Sequence, residues 1–194
     1  TVTRNGVDVT GNYNFGESGK GTLTIKKRTV TLTSEGGSKE YDGTPLTKPN
    51  VTVTGSFVDG EVTDIKATGS VTTVADGKVT NTIVYTTGEN FNADNYTIVK
   101  NEGELSITAK DSVITITANS DGKIYDGTPL TNSGYTYTEG VLAEGDVLTA
   151  TVEGTITNFG TADNVVTNYT VTRNGVDVTG NYNFGESGKG TLTI

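Results

Sequence analysis

The sequence predicts an all-β chain made of two tandem, small antiparallel β-sandwich modules set end to end as an elongated rod. Three observations lead there. Short stretches that alternate apolar residues with Thr are broken by turns bearing Gly, Asn or Asp roughly every 8 to 12 residues, and no 3.6-residue apolar period outlasts a turn or two. Only 32% of the residues are hydrophobic and Pro occurs 3 times, yet Thr, Val and Tyr abound, which suits pleated, half-buried sheets rather than disorder. The chain also repeats itself. Residues 1–25 return without a change at 170–194, and Lys39-Glu40-Tyr41-Asp42-Gly43-Thr44-Pro45-Leu46-Thr47 recurs 84 residues later as Lys123-Ile124-Tyr125-Asp126-Gly127-Thr128-Pro129-Leu130-Thr131. A fixed period constrains the architecture more tightly than any single side chain.

The repeats divide the chain into residues 1–25, read as the C-terminal strands of a preceding repeat; residues 26–107, repeat A; and residues 108–194, repeat B. In the first segment Val2, Val7 and Val9 flank Asn5-Gly6, the dipeptide that best accepts the two positive φ values of a type I′ turn, so Arg4 should pair with Val7 and Val2 with Val9. Leu23 and Ile25 then alternate with Thr as a half-buried strand requires. Repeat A should open with a strand over 29–33, carrying Val30 and Leu32 on one face, and turn at 41–45. A short strand at Val51 and Val53 and a turn over 55–61 follow, then strands over 62–67, 69–74 and 78–86 and closing strands at 95–98 and 103–107. Repeat B follows the same plan, from Ile114 and Ile116 to a closing strand at 190–194. The alternative fold is a β-grasp-like module with a short helical turn over 57–61 or 142–146.

No Gly or Pro interrupts either junction between repeats. Extended runs over 22–33 and 105–117 should therefore carry the last strand of one repeat directly into the first strand of the next, a stiffer connection than a Gly/Ser linker.

Composition narrows the function. The formal net charge is −9 with scattered Lys and Arg, so nucleic acid and anionic membranes are poor partners, and no apolar run is long enough to insert in a membrane. There is no His to act as a general base near neutral pH and no Cys nucleophile, Gly-x-Ser-x-Gly elbow or phosphate loop. The chain reads as a non-enzyme, with no catalytic, cofactor or metal residues assigned.

The signature Tyr41-Asp42-Gly43-Thr44-Pro45 and its twin Tyr125-Asp126-Gly127-Thr128-Pro129 read as a structural turn. Asp accepts from the backbone two residues on, Gly takes positive φ, Pro ends the turn and Tyr anchors it in the core. One carboxylate per copy is too few for calcium, which takes about 6–8 oxygens. Tyr135 and Tyr137, alternate residues of one strand, share a face and are candidate ligand-facing residues that could stack on a sugar ring; the competing reading is that they cover the core. Asn92-Ala93-Asp94-Asn95 and Thr161-Ala162-Asp163-Asn164 read as solvated turns. Lys39 and Lys123 near the start of each repeat, with Asn95 and Asn181 near the end, raise a Lys–Asn isopeptide bond as one reading and edge-strand lysines as the other.

The recurrent set Tyr-Asp-Gly-Thr-Pro-Leu-Thr, a Gly-Phe/Leu-x-x-Gly-acid turn, a central Gly, Asn-Tyr and a terminal Gly-x-Leu-x-Ile resembles the repeats of large cell-surface proteins of Gram-positive bacteria. It is similar to the MBG-type and bacterial Ig-like repeats stacked between an adhesive tip and the cell wall. The resemblance implies an Ig-like fold for each module, an extracellular, cell-wall-anchored location in the full-length protein, and the role of a structural stalk in an adhesin. The partners expected are neighbouring repeats of the same chain. A weak, multivalent module binding a host glycan or glycoprotein is the alternative.

Overall fold

Alternation of apolar residues with Thr gives each strand one face for a core, and the structure, a computed structural model describing all 194 residues, is accordingly all-β. Its only helical elements are single 3₁₀ turns such as Val74–Asp76 and Thr179–Asn181. No helix is long and apolar enough to cross a membrane. Apart from the hairpin of Thr3–Arg4 with Val7–Asp8, strand pairs fall into two sets that do not mix, one within 28–108 and one within 113–194.

In repeat A, Arg28–Ser34 lies between Val51–Thr54, paired antiparallel, and Tyr96–Asn101, paired parallel. Gly37–Glu40 pairs parallel with Glu104–Thr108, and Val62–Ala67 pairs antiparallel with Ile83–Thr87. Repeat B matches this plan. Val113–Ile114 and Asp121–Gly122 run parallel to Asn183–Phe184 and Gly190–Thr193, and Asp146–Glu153 pairs antiparallel with the long strand Thr161–Arg173.

The expectation of purely antiparallel sheets is thus corrected. A repeat that the chain enters at one end and leaves at the other has first and last strands pointing the same way, so any pairing between them is parallel. The short helix of the alternative fold does not form. Its two stretches each close on one turn bond, Glu61 N–H to the Val58 carbonyl (3.1 Å) and Asp146 N–H to the Ala143 carbonyl (3.0 Å). The continuous strand expected across each junction is absent as well: Glu104–Thr108 ends before Val113–Ile114 begins, and residues 14–27 carry no strand at all.

Each repeat packs its apolar residues in two layers. Val30, Leu32, Ile83 and Tyr96 form the first layer of repeat A, and Leu130, Leu192 and Ile194 form the last layer of repeat B. Between them lies one cluster of 11 buried residues drawn from both repeats: Tyr41, Val71, Leu105 and Ile107 from A, and Ile114, Ile116, Ala143, Leu148, Val171, Val178 and Tyr182 from B.

A buried asparagine ties the two layers of each repeat together. Asn81 donates from Nδ2 to the carbonyls of Glu35 (2.9 Å) and Lys48 (2.8 Å), and its Oδ1 accepts from Gly69 N–H (2.9 Å). Asn164 repeats the two donations, to the carbonyls of Asn119 (2.9 Å) and Asn132 (2.8 Å), while its Oδ1 has no hydrogen-bond partner. Both side chains are fully enclosed. The central glycines follow from this contact: a Cβ on Gly69 would lie 2.7 Å from Asn81 Oδ1, and one on Gly154 2.5 Å from Asn164 Oδ1. The reading of 161–164 as a solvated turn is therefore corrected; these residues sit in the strand Thr161–Arg173, with Asn164 in the interior.

Replacing Asn81 or Asn164 by Ala leaves two part-buried carbonyls without their donor, so each substitution should cost about 1–3 kcal/mol. Urea unfolding measures it, and a loss below about 0.5 kcal/mol, the ordinary range of surface changes, would refute the role given to these residues.

Candidate functional site

The signature turns form as the sequence dictates. Asp42 Oδ1 accepts from Thr44 N–H (2.8 Å) and the Thr44 hydroxyl (2.7 Å), Lys39 Nζ donates to Asp42 (2.8 Å) and Thr44 (2.7 Å), and Gly43 sits at φ +78°. Asp126, Thr128, Lys123 and Gly127 reproduce each of these contacts. The Lys39 ammonium pushes the Asp42 carboxyl far below the usual carboxylate range, helped by Thr44; Lys123 and Thr128 do the same for Asp126. Pro45 and Pro129 end the turns.

The two tyrosines part company. Tyr41 is 1% exposed and Tyr125 60%. Tyr41 anchors its turn in the core that its repeat shares with the following one, and Tyr125 anchors nothing.

Around Tyr41 lies the most polar part of the interior. Asp146, at the end of a Gly-acid turn in repeat B, buries its whole side chain. Its Oδ2 accepts from the Tyr182 hydroxyl (2.5 Å) and from the Tyr41 hydroxyl (3.1 Å). Arg173 Nε lies 2.6 Å from Asp146 Oδ1, an ion contact rather than an aligned hydrogen bond, and also donates to the Tyr41 hydroxyl (3.3 Å). Arg173 Nη2 donates to the Glu144 carbonyl (2.8 Å), which fixes the guanidinium. Burial, then the hydrogen bond to Asp146, pushes the Tyr182 hydroxyl well above its ordinary pKa. The Tyr41 and Tyr182 rings meet edge to face, 5.6 Å apart at 79°.

Further contacts across the junction complete the clamp. Val74 N–H donates to Asn181 Oδ1 (2.7 Å) and Asp111 N–H to Glu40 Oε2 (3.2 Å), while Lys110 Nζ lies 3.7 Å from Glu40; within repeat B, Lys110 N–H holds the Asn181 carbonyl (3.0 Å). Gly43 lies so close to Arg173 that any Cβ there would overlap the guanidinium. The signature turn of repeat A is thus an inter-repeat contact, which its sequence alone did not reveal. The available signal was the acid retained at the same place in both repeats, Glu61 and Asp146, next to a tyrosine retained at Tyr96 and Tyr182.

Tyr135 and Tyr137 are not an exposed pair. Both are half-buried against the shared core, and the Tyr135 hydroxyl donates to the Leu148 carbonyl (3.3 Å). The largest hollow, about 700 Å³ and wide open, is lined by Thr131, Asn132, Ser133, Val152, Glu153, Gly154, Thr155 and Val165, with no aromatic ring for a sugar to stack on. Lys39 and Lys123 are held by their own turns, and Asn181 is engaged with Val74, so the structure brings neither lysine to the asparagines of the isopeptide reading.

The first 25 residues provide an internal control. Their hairpin forms as expected, Arg4 opposite Val7 and Val9 N–H to the Val2 carbonyl at 2.9 Å, with Asn5 at φ 50° and Gly6 at φ 78°. Beyond it the copy diverges from its twin. Leu23 is 100% exposed where Leu192 is 0%, and Tyr13 is exposed where Tyr182 is buried. The strands that clasp Gly190–Thr193, Asp121–Gly122 and Thr161–Asn164, occur once in the chain and are occupied by repeat B. Compared with known proteins, the chain matches no family model, no curated protein and no solved structure.

Arg173→Met leaves the buried Asp146 carboxylate without its cation and should cost about 3–5 kcal/mol in urea unfolding, whereas the same change at exposed Arg4 should stay within about 0.5 kcal/mol. Equal effects at the two sites would remove the clamp from the account. Acid should act on the signature turns. Both carboxyls have folded pKa values below the unfolded value of about 3.9, so their contribution is complete above about pH 4 and fades as pH falls through the folded values. The double substitution Asp42→Asn, Asp126→Asn should flatten the fall in melting temperature between about pH 4 and pH 2; an unchanged slope in thermal melts would show that the turns are not coupled to protons.

Proposed function

We propose that the chain is a stalk segment of a bacterial cell-surface adhesin: tandem β modules, of the two-layer Ig-like kind, that hold a binding domain away from the cell wall as part of an elongated rod. The observation that carries this reading is the core shared by the two repeats. Domains joined in one chain move relative to one another unless their interface is large and apolar. Here residues of both repeats are buried in one cluster, and each fully buried Leu, Ile or Val contributes about 1.5–3 kcal/mol, against about 1 kcal/mol for a long, partly exposed pair such as Lys110–Glu40. The junction therefore resists bending through packing, with the Asp146 clamp fixing the angle.

Repetition fits the same reading. An array extends reach by copy number, and the exact copy at 1–25 and 170–194 is a product of duplication in such an array. The net charge of −9 keeps an exposed, cysteine-free rod soluble and unassociated. Extracellular, wall-anchored placement in a Gram-positive bacterium completes the proposal, and no catalytic role is assigned. The glycan-binding alternative gains no support from Tyr135 and Tyr137, which are half-buried.

Small-angle X-ray scattering tests the mechanical part. The maximum dimension of a two-period chain, in which Ile194 is followed by a second pass through residues 26–194, should exceed that of the 194-residue chain in proportion to the added repeats. A dimension that barely grows would mean that repeats fold back on one another, and the stalk reading would fall.

A further inference from the structure

The leading end of repeat A and the trailing end of repeat B each carry one half of the arrangement seen where the two repeats meet. At the leading end of repeat A, Val58 N–H donates to the Tyr96 hydroxyl (2.9 Å), which donates to Glu61 Oε2 (2.5 Å). This is the arrangement of Ala143, Tyr182 and Asp146, where the amide hydrogen bond and the tyrosine–acid bond have the same lengths, 2.9 Å and 2.5 Å. In repeat B that acid also receives a tyrosine from the repeat before it. In repeat A the corresponding place is an open hollow of about 210 Å³ lined by Arg28, Val58, Glu61, Asn95 and Tyr96 with Ile25 and Lys26.

The trailing end of repeat B carries the matching projection. Tyr125 occupies the place of Tyr41, and Phe159 the place of Val74, which reaches Asn181 at the existing junction. Tyr125, Ile124 and Phe159 are 60%, 91% and 91% exposed, an unusual state for three large apolar residues near one end. They converge on Ile194: Lys123 N–H donates to the Thr193 carbonyl (3.0 Å), and Gly160 exchanges two backbone hydrogen bonds with Ile194 (3.0 Å each).

We propose that this end of repeat B docks into the leading end of a following repeat A, with the Tyr125 hydroxyl on Glu61 and Phe159 over Asn95, so that the last layer of B and the first layer of A merge into one core. The occupant is fixed by the chain itself. Residues 1–25 have the sequence of the last strands of repeat B and run directly into repeat A, so a B-type end is covalently delivered to this hollow. Ile25, the last residue of that copy, already lines it together with Lys26. This docking holds for a spacer and for a binding array alike, so its test is separate from that of the stalk.

The two-period chain decides it by thermal unfolding. Tyr125→Ala in the first period faces a following repeat A and should lower the melting temperature of the transition that includes that repeat by at least about 3 °C. The same change in the second period, or in the 194-residue chain, removes an exposed side chain and should shift melting by less than about 1 °C. Glu61→Gln should mirror this pattern, acting more strongly in the second period than in the first. Equal shifts in both periods for each substitution would overturn the proposal, even if scattering shows the chain to be extended.

Discussion

The core shared by the two repeats is the contact on which the rest of the structure depends. Small domains bury only about 60–65% of their unfolded surface, so a neighbour that enlarges the core matters to each of them. Tyr41, Leu105 and Ile107 become buried because Ile114, Val171 and Tyr182 of the next repeat close over them. Cohesion along the chain thus adds to each repeat's stability, as nearest-neighbour coupling does in repeat proteins. Placing a carboxylate there adds direction to the packing. An apolar face tolerates sliding, but Asp146 is satisfied only where Tyr41, Tyr182 and Arg173 all reach it, so the polar clamp selects one orientation of a contact that burial makes favourable.

The identical segments at 1–25 and 170–194 separate what sequence encodes locally from what it does not. The Asn-Gly hairpin is present in both, with φ of 50° at Asn5 and at Asn174, because a type I′ turn needs only its own residues. Leu23 and Leu192 share every near neighbour in sequence, yet one is exposed and the other enclosed. The strand over 190–193 exists because distant strands bracket it, so alternation of Leu and Ile with Thr states a capacity for pairing and leaves the partner open.

The same division explains which parts of the fold were legible. The all-β class, the strand Val62–Ala67, the signature turns and the repeat offsets all follow from short-range patterns. The parallel pairing of first and last strands does not, since it depends on where the chain enters and leaves each repeat. Asn81 and Asn164 were hidden for a different reason. A buried asparagine that bridges two loops looks in sequence like any polar residue of a turn, and its only trace is the pair of glycines, Gly69 and Gly154, that must make room for it. The role of Tyr41 was legible by half: its burial follows from the turn, whereas its place in a core shared with the next repeat follows from the junction.

Differences between the repeats give a reason why the unit of duplication is 169 residues rather than about half that. The end of repeat A presents Glu40 and Val74, and it meets Lys110 and Asn181 of repeat B. At the end of repeat B, Ile124 and Phe159 replace Glu40 and Val74, and in the leader to repeat A Lys26-Lys27-Arg28 stands where repeat B has Lys110-Asp111. A second repeat A after the first would set Val74 in the place of Phe159, and a second repeat B after the first would set Phe159 in the place of Val74, so either would change a junction that the 169-residue spacing preserves. Single repeats are thus not identical beads, because their ends differ. Gain or loss of a whole A–B pair leaves every junction unchanged, and the exact 25-residue copy in this chain recurs at the spacing of one such pair.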